Sequence, residues 1–284
     1  MSLSMDQSQH FSGTDNLASV SPLLSRRPSA KRLILSVLSQ PNLREMHIGK
    51  LIKWGGLFDH APATMRVTVG RLTKQGLLES MDRGTYKIGR AGEALQKTAA
   101  SWGSILDSVG PWNGEWISIH TAHLGRSNKT ALRTRERAFR LMGFEQLVLG
   151  LWCRPANLKA PASTVLERLH ALGLEQDAVL SHLPNGQVSG AIDAHGLWPR
   201  EELEAHYRRA IGLLRTSQQR LGLHSLETGM KESFLVGEHV IRQINADPLL
   251  PNELIDTVLR EQMVSAMQSY DRRCHPLWNE FLNA

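Results

Sequence analysis

The segment PATMRVTVGRLTKQGLLESMDRGTYKI, residues 62–88, joins the pattern of a helix to that of a β-hairpin. Pro62 is a residue favoured at the first helical position. Three apolar residues then recur at the spacing of one helix face, namely Met65, Val69 and Leu72. Gly76 ends that spacing, and Asp82-Arg83-Gly84 supplies a turn between two short strand-like runs. The segment therefore predicts a helix over 62–74 followed by a hairpin over 77–88.

Two shorter helices are predicted upstream of this segment. Ser29 is a favoured N-cap, and the apolar residues after it share one helix face up to Leu38, before Pro41 and Asn42 end the pattern. A second helix is predicted over 46–54. Three short helices followed by a hairpin is the order of a winged helix-turn-helix, whose third helix enters the major groove of DNA. With a further helix over 90–106, residues 29–106 are predicted to form this domain.

The net positive charge of the chain comes from its first third. Residues 1–100 hold 14 Lys and Arg against 7 Asp and Glu, a net +7, whereas residues 101–284 hold 19 against 20, a net −1. A basic patch attracts DNA because neutralised phosphates release condensed counterions. Charge alone leaves open a basic surface that serves only solubility.

The helix predicted over 62–74 presents a polar, basic side opposite its apolar face. Arginine binds guanine with two hydrogen bonds, threonine bonds to a base or a phosphate, and glycine allows a close backbone approach. The predicted DNA-contacting residues of this helix are Thr64, Arg66, Val67, Thr68, Gly70, Arg71 and Lys74. A solvated amphipathic helix is the alternative interpretation of the same face.

The hairpin adds two candidate phosphate contacts. Arg83 lies at the predicted turn and Lys87 on the following strand. Contacts of this kind position a protein on DNA without specifying a sequence. Charge at a hairpin tip also serves solubility, and that alternative stays open.

The rest of the chain predicts two further domains. Residues 107–190 alternate strand and helix signals in the order β-α-β-β-α-β, which indicates a ferredoxin-like middle domain. Residues 191–284 are predicted to be a helical domain for dimerisation and effector binding, with helices over 199–220, 226–244, 252–270 and 274–282. Residues 1–28 lack hydrophobic periodicity and predict a disordered arm. The expected fold class is α+β.

Several classes of protein are not supported by the composition. There is no apolar run of the roughly 20 residues that a membrane span needs, and no signal-peptide core, so the cytoplasm is expected. The two cysteines, Cys153 and Cys274, form no metal-binding or disulfide pattern, and neither a metal nor a cofactor is expected.

Catalysis is the main rival class. Common nucleophile, phosphate-binding and zinc-protease motifs are missing from the sequence, so no catalytic residue is assigned. His120, His123 and His195 are possible metal ligands, but their spacing is not diagnostic. A metal-dependent nuclease built on the ferredoxin-like domain is the alternative function. Its first strand ends in Ser118-Ile119-His120-Thr121, without the acidic residue that the ferredoxin-like nuclease of CRISPR adaptation carries there.

Four tryptophans are candidates for an aromatic effector pocket between the middle and C-terminal domains. Core packing is the alternative role for such large side chains. The four residues are Trp112, Trp116, Trp152 and Trp198.

Five motifs in order resemble the PaaX-type repressors of phenylacetate catabolism. They are Ser29-Ala30-Lys31-Arg32-Leu33-Ile34-Leu35-Ser36-Val37-Leu38, Met65-Arg66 through Arg71-Leu72, Trp112-Asn113-Gly114-Glu115-Trp116, Arg137 through Gly143-Phe144, and Asp247-Pro248-Leu249-Leu250-Pro251. The chain departs from the family pattern at Gly70 and over 55–60.

The resemblance implies a regulatory function. It implies a homodimer that binds double-stranded operator DNA and represses a catabolic operon. It also implies release by an aryl-coenzyme A thioester such as phenylacetyl-CoA, or a related acyl-CoA.

Overall fold

A computed structural model describes residue 20 and residues 22–40, 45–184 and 195–283. The N-terminal part combines helices with a small sheet. Ser29 accepts a hydrogen bond from the backbone N–H of Arg32 and caps the first helix. The elements are α1 (Ala30–Leu38), β1 (Glu45–His47), α2 (Ile48–Gly56), α3 (Pro62–Lys74), β2 (Leu78–Asp82), β3 (Thr85–Ile88) and α4 (Arg90–Ala100).

The three strands form one antiparallel sheet in the order β1-β3-β2. The sequence pattern does not indicate strand β1. It predicts residues 46 and 47 as helical, whereas the helix begins at Ile48. The helix predicted over 90–106 ends at Ala100 and continues as the 3-10 helix Ser101–Ser108, with a kink at Ser104. The expected stop of α1 at Pro41 and Asn42 lies outside the described residues.

The last residues of the predicted N-terminal arm pack against the folded part of the chain. Val20 and Leu23 are buried in the same hydrophobic cluster as the C-terminal helices, and residues 22–24 are helical. The prediction of a disordered arm over 1–28 is therefore corrected for residue 20 and residues 22–28, because Val20, Leu23 and Pro28 are buried. Residues 1–19 and 21 lie outside the described part of the chain.

The middle part is a four-stranded antiparallel sheet in the order β5-β6-β4-β7. One sheet face packs on α5 and α6 through Ile117, Ile119 and Phe139, and the other packs on the C-terminal helices through Trp116 and Cys153. The elements are β4 (Trp116–His120), α5 (Lys129–Leu141), β5 (Glu145–Val148), β6 (Leu151–Pro155), α6 (Ala162–Ala171) and β7 (Val179–Leu183).

Long helices complete the chain. They are α7 (Arg200–Arg220), α8 (Leu226–Asn245) and α9 (Thr257–Asn283). The prediction of separate helices over 252–270 and 274–282 is wrong, because a single helix, α9, runs without a break from Thr257 to Asn283. None of the described helices has both the length and the apolar character to cross a bilayer. The fold is thus mixed α+β, with two small antiparallel sheets.

The N-terminal part shares a hydrophobic core with the C-terminal helices. Trp54 of α2 lies edge-on to Phe234 of α8, with ring centroids 5.0 Å apart. The ring centroids of Trp54 and Trp278 of α9 are 4.9 Å apart. Phe281 and Leu282 are buried in the same cluster as α1, α2 and α3. The last residues of α9 therefore pack against the N-terminal helices.

The loop Asp247-Pro248-Leu249-Leu250-Pro251 ties the middle sheet to the C-terminal helices. The buried Asn157 amide donates to the Leu249 carbonyl at 2.6 Å, and Arg154 donates to the Pro248 carbonyl at 3.3 Å. Burial lowers the pKa of Arg154 to about 10. A side chain at Gly143 would come within 2.7 Å of the Pro248 carbonyl, so glycine is required for this approach. Two of the five motifs thus contact each other.

Candidate nucleic-acid interface

Helix α3 is oriented by its apolar face. Met65, Val69 and Leu72 are buried against α1 and α2, as the spacing of these residues predicts. Gly55 makes this approach possible, since a Cβ there would lie 2.5 Å from the Met65 sulfur. Pro62 is in the first turn, and Gln75 ends the helix.

The opposite side of α3 is open to solvent and basic. No acidic residue occurs in its 13 residues. Within the described residues, Arg66, Arg71 and Lys74 form no ion pair with a carboxylate. The exposed residues of this surface, called the α3 face below, are Thr64, Arg66, Val67, Gly70, Arg71 and Lys74.

Thr68 does not belong to the α3 face. Its side chain is only 6% exposed, and its hydroxyl donates to the Thr64 carbonyl one turn earlier at 2.8 Å. Hydrogen bonds of this type satisfy a buried hydroxyl within the helix. The prediction of Thr68 as a DNA contact is therefore wrong.

The hairpin is fixed beside α2. The Ile48 N–H donates to the Gly84 carbonyl at 2.7 Å, which ties the hairpin turn to the beginning of α2. Gly84 has a φ of +90°, a conformation that favours glycine. Arg83 is exposed at this turn and is available to a phosphate.

Lys87 is less available than Arg83. It pairs across the sheet with Glu45 of β1 on one side and Glu79 of β2 on the other. Its ammonium lies 3.5 Å from the Glu79 carboxylate. A phosphate would have to compete with these carboxylates, so Lys87 is the weaker of the two hairpin candidates.

Two residues outside the predicted set hold the turn that leads into α3. Arg27 donates to the carbonyls of Phe58 and Asp59, and the ring Nε2 of His60 lies 2.7 Å from the Pro28 carbonyl. The partners are more than 30 residues apart, so no local sequence signal indicates these contacts. They fix the position of α3 relative to α1 and α2.

The four tryptophans do not line a common pocket. Trp116 stacks on Trp198 at 5.9 Å and lies edge-on to Trp112, on the sheet face toward the C-terminal helices. Trp152 stacks on Phe139 at 4.5 Å on the opposite face. The sheet separates the two groups, so the predicted aromatic effector pocket is corrected to core packing.

Within the described residues, the candidate histidines do not form a metal site. In the parts of the chain that the structure describes, no group of three or more His, Cys, Asp or Glu side chains is arranged to hold a metal ion. The His123 ring instead lies 2.7 Å from the Asp177 carbonyl.

The fold resembles that of a solved protein. No protein-family model and no curated protein matches the sequence. A solved structure, uncharacterized protein Rv0674 from Mycobacterium tuberculosis, superposes with a TM-score of 0.60 at 20% identity, covering 88% of this chain and 99% of that chain. At this level of identity, the similarity concerns the fold alone.

Proposed function

We propose that the protein is a sequence-specific DNA-binding transcriptional regulator whose α3 face enters the major groove. The observation that carries the proposal is the exposed basic surface of α3, which has no carboxylate of its own to neutralise it. The element order and the β1-β3-β2 sheet support a winged helix-turn-helix, with β2 and β3 as the wing.

The composition of the α3 face suits base recognition. Arg66 and Arg71 flank Val67, whose side chain is 72% exposed. An apolar valine side chain is not stabilised by exposure to water, but in the major groove it would contact a thymine methyl group. The two arginines would bind guanine O6 and N7, and Lys74 and Arg83 would contact phosphates.

The remaining parts would assemble and regulate the protein. The split β-α-β-β-α-β order and the strand order β5-β6-β4-β7 support a ferredoxin-like middle domain. Homodimerisation, repression of a catabolic operon and release by an acyl-coenzyme A thioester belong to the same proposal and rest on the five resembling motifs. A C2 dimer would read two half-sites.

A gel-shift titration with the DNA upstream of the protein's own gene tests the proposal. Arg66→Ala or Arg71→Ala should each weaken specific binding by about 1–3 kcal/mol. Lys87→Ala should lower the salt dependence only slightly, because Glu79 already competes for its charge. Arg209→Ala, an exposed arginine on α7, is the charge-matched control and should bind as the wild type does. Wild-type affinity in both α3 variants would refute the assignment of the α3 face.

A further inference from the structure

A cavity of about 370 Å³ lies where the N-terminal helices meet the C-terminal helices. Helices α1, α4, α8 and α9 and the 3-10 helix Ser101–Ser108 all contribute to its wall. Its volume falls within the range of small-molecule pockets, about 300–1,000 Å³. It is distinct from the region of the four tryptophans discussed above.

The inner wall of the cavity is apolar and uncharged. Phe234, Ile241, Met267, Trp102 and Trp278 supply aliphatic and aromatic surface. At its floor, the Tyr270 hydroxyl is already hydrogen-bonded to Ser217 at 2.7 Å. Burial, reinforced by Asp271, raises the pKa of the Cys274 thiol to about 12, so this thiol is neutral. An apolar ring or chain is the complementary ligand group for such a wall.

Beside α8, Arg242 lies on the rim of the cavity, and two further arginines lie behind it. Glu238 of the rim forms an ion pair with Arg32, and Arg242 lies one turn further along α8. Burial and the charge of Arg32 lower the pKa of Arg242, Glu238 raises it, and Arg26 lowers it further. Arg242 thus lies in the electrostatic field of two further guanidinium groups and one carboxylate.

One donor in this cluster lacks a partner. Among the described residues, the buried Nη2 of Arg32 has no hydrogen-bond acceptor. Arg32 does not itself line the cavity, so this donor adds positive charge behind the rim and makes no direct contact with the cavity. On another part of the rim, Asp271 of α9 carries a second negative charge, and its carboxylate lies 3.2 Å from the His275 ring.

We propose that this cavity binds a small amphipathic carboxylate, with its apolar ring or chain against Phe234, Trp102 and Trp278 and its carboxylate on Arg242. The role of the ligand as an effector rests on the proposed DNA binding, and the ligand differs from the acyl-coenzyme A thioester that the five resembling motifs imply. Leu35 and Ser36 of α1 and Gln96 of α4 also line the cavity, so a bound molecule contacts both the N-terminal part and the C-terminal helices. Such a ligand can change DNA affinity if it binds one arrangement of these parts better than another.

Calorimetric titration of the full chain tests the site without DNA. The probes are benzoate, indole-3-acetate and octanoate, each compared with its primary amide. At least one acid should bind more tightly than its amide. Arg242→Gln should weaken binding of that acid by about tenfold or more and leave the amide unchanged, as expected for loss of a charged hydrogen bond. Arg209→Gln, with the same charge change on α7, should have no effect.

Ser36→Phe tests the location of the ligand. Ser36 lines the cavity from a half-exposed position, so phenylalanine there should fill the space without removing core packing. Binding of acid and amide should both be lost. The proposal is overturned if none of the acids binds, if Arg242→Gln and Arg209→Gln behave alike, or if phenylacetyl-CoA binds and the acids do not.

Separate readouts distinguish this proposal from the proposed function. If an acid binds but the protein does not recognise its upstream DNA, the site stands and the regulator proposal fails. If the DNA is bound specifically but no acid binds, the regulator proposal stands and the site fails. If both bind, the acid should change the DNA affinity, and the DNA should change the acid affinity by the same factor.

Discussion

Gly70 is an unfavourable residue for the place it occupies in α3. A glycine inside a helix costs about 0.5–1 kcal/mol relative to alanine. Nothing lies within 4 Å of a Cβ built at this position, so packing does not require glycine. A residue that costs stability and serves no packing role is expected where function needs it. Under the proposed function, that need would be a close approach of α3 to DNA.

Gly70→Ala should therefore have opposite effects on stability and on DNA binding. We expect the free energy of unfolding to rise by about 0.5–1 kcal/mol, because alanine favours the helix. DNA affinity should fall, because the methyl group stands on the α3 face. Urea unfolding and gel shift measure the two quantities. Gly56→Ala is the control, since it too has open space and lies outside the α3 face. Unchanged DNA binding in Gly70→Ala would remove the case for close approach.

The ion pair between Arg135 and Glu175 predicts a dependence of stability on pH. Arg135 is 4% exposed and donates from Nε and Nη2 to the two carboxylate oxygens at 3.0 and 2.6 Å. The hydrogen bond from Arg135 is the main cause that lowers the pKa of Glu175 below its ordinary 4.5. A lowered folded-state pKa adds stability above pH 4.5, and that stability is lost as the pH falls below it.

Glu175→Gln should remove this contribution. At neutral pH the variant should be less stable than the wild type by about 1.5–3 kcal/mol, since a buried arginine loses its charged acceptor. The difference should shrink as the pH falls below 4.5. Urea unfolding from pH 7 to pH 3 measures it, with Glu167→Gln on the exposed side of α6 as the control. A difference that is constant with pH would contradict the pKa assignment.

At the scale of elements, periodicity predicted the core face of α3 but could not indicate the three-residue strand β1. The spacing of Met65, Val69 and Leu72 depends only on helix geometry, and the core face of α3 followed from it. Strand β1 has three residues and exists because β3 lies beside it, so no local pattern could indicate it. Thr68 lies at the edge of the apolar face, where burial depends on the neighbouring elements.

Helix α9 continues through a proline because the packing on both sides of Pro276 outweighs the local cost of a proline inside a helix. Proline inside a helix removes a hydrogen bond and costs about 3 kcal/mol. Tyr270 and Cys274 are buried before Pro276, and Phe281 and Leu282 after it, so one helix through this point buries both groups. The prediction of two helices, over 252–270 and 274–282, was therefore wrong. The cavity could not be predicted from the sequence either, because its wall comes from elements far apart in sequence.

Pro276→Ala should stabilise the protein. The Pro276 side chain is exposed, so its loss removes little packing while it restores a helical N–H. We expect the free energy of unfolding to rise by about 1–3 kcal/mol. Urea unfolding monitored by circular dichroism gives the value, and Pro199→Ala just before α7 separates the helix effect from the loss of a proline. A decrease would mean that a bend at Pro276 is needed to direct Phe281 and Leu282 into the core.

At the scale of the whole molecule, the candidate DNA-binding part is not an independent unit. The residues behind α3 belong to the same buried cluster as Met230, Phe234 and Leu235 of α8 and the end of α9. Loss of packing on either side exposes the apolar surface of the other. We therefore expect α3 and α8 to unfold in one cooperative step, in contrast to a domain on a flexible linker.

Leu235→Ala tests this coupling by hydrogen–deuterium exchange. Leu235 is buried in the shared cluster and does not line the cavity, and a buried leucine truncated to alanine typically costs about 2–5 kcal/mol. The opening free energies of the slowest amides in α3 and α8 should fall by equal amounts, although the substitution is in α8 alone. Leu223→Ala, at an exposed position, should change neither. If only α8 were affected, the two parts would unfold separately, and a ligand between them could not couple to α3 through the shared core.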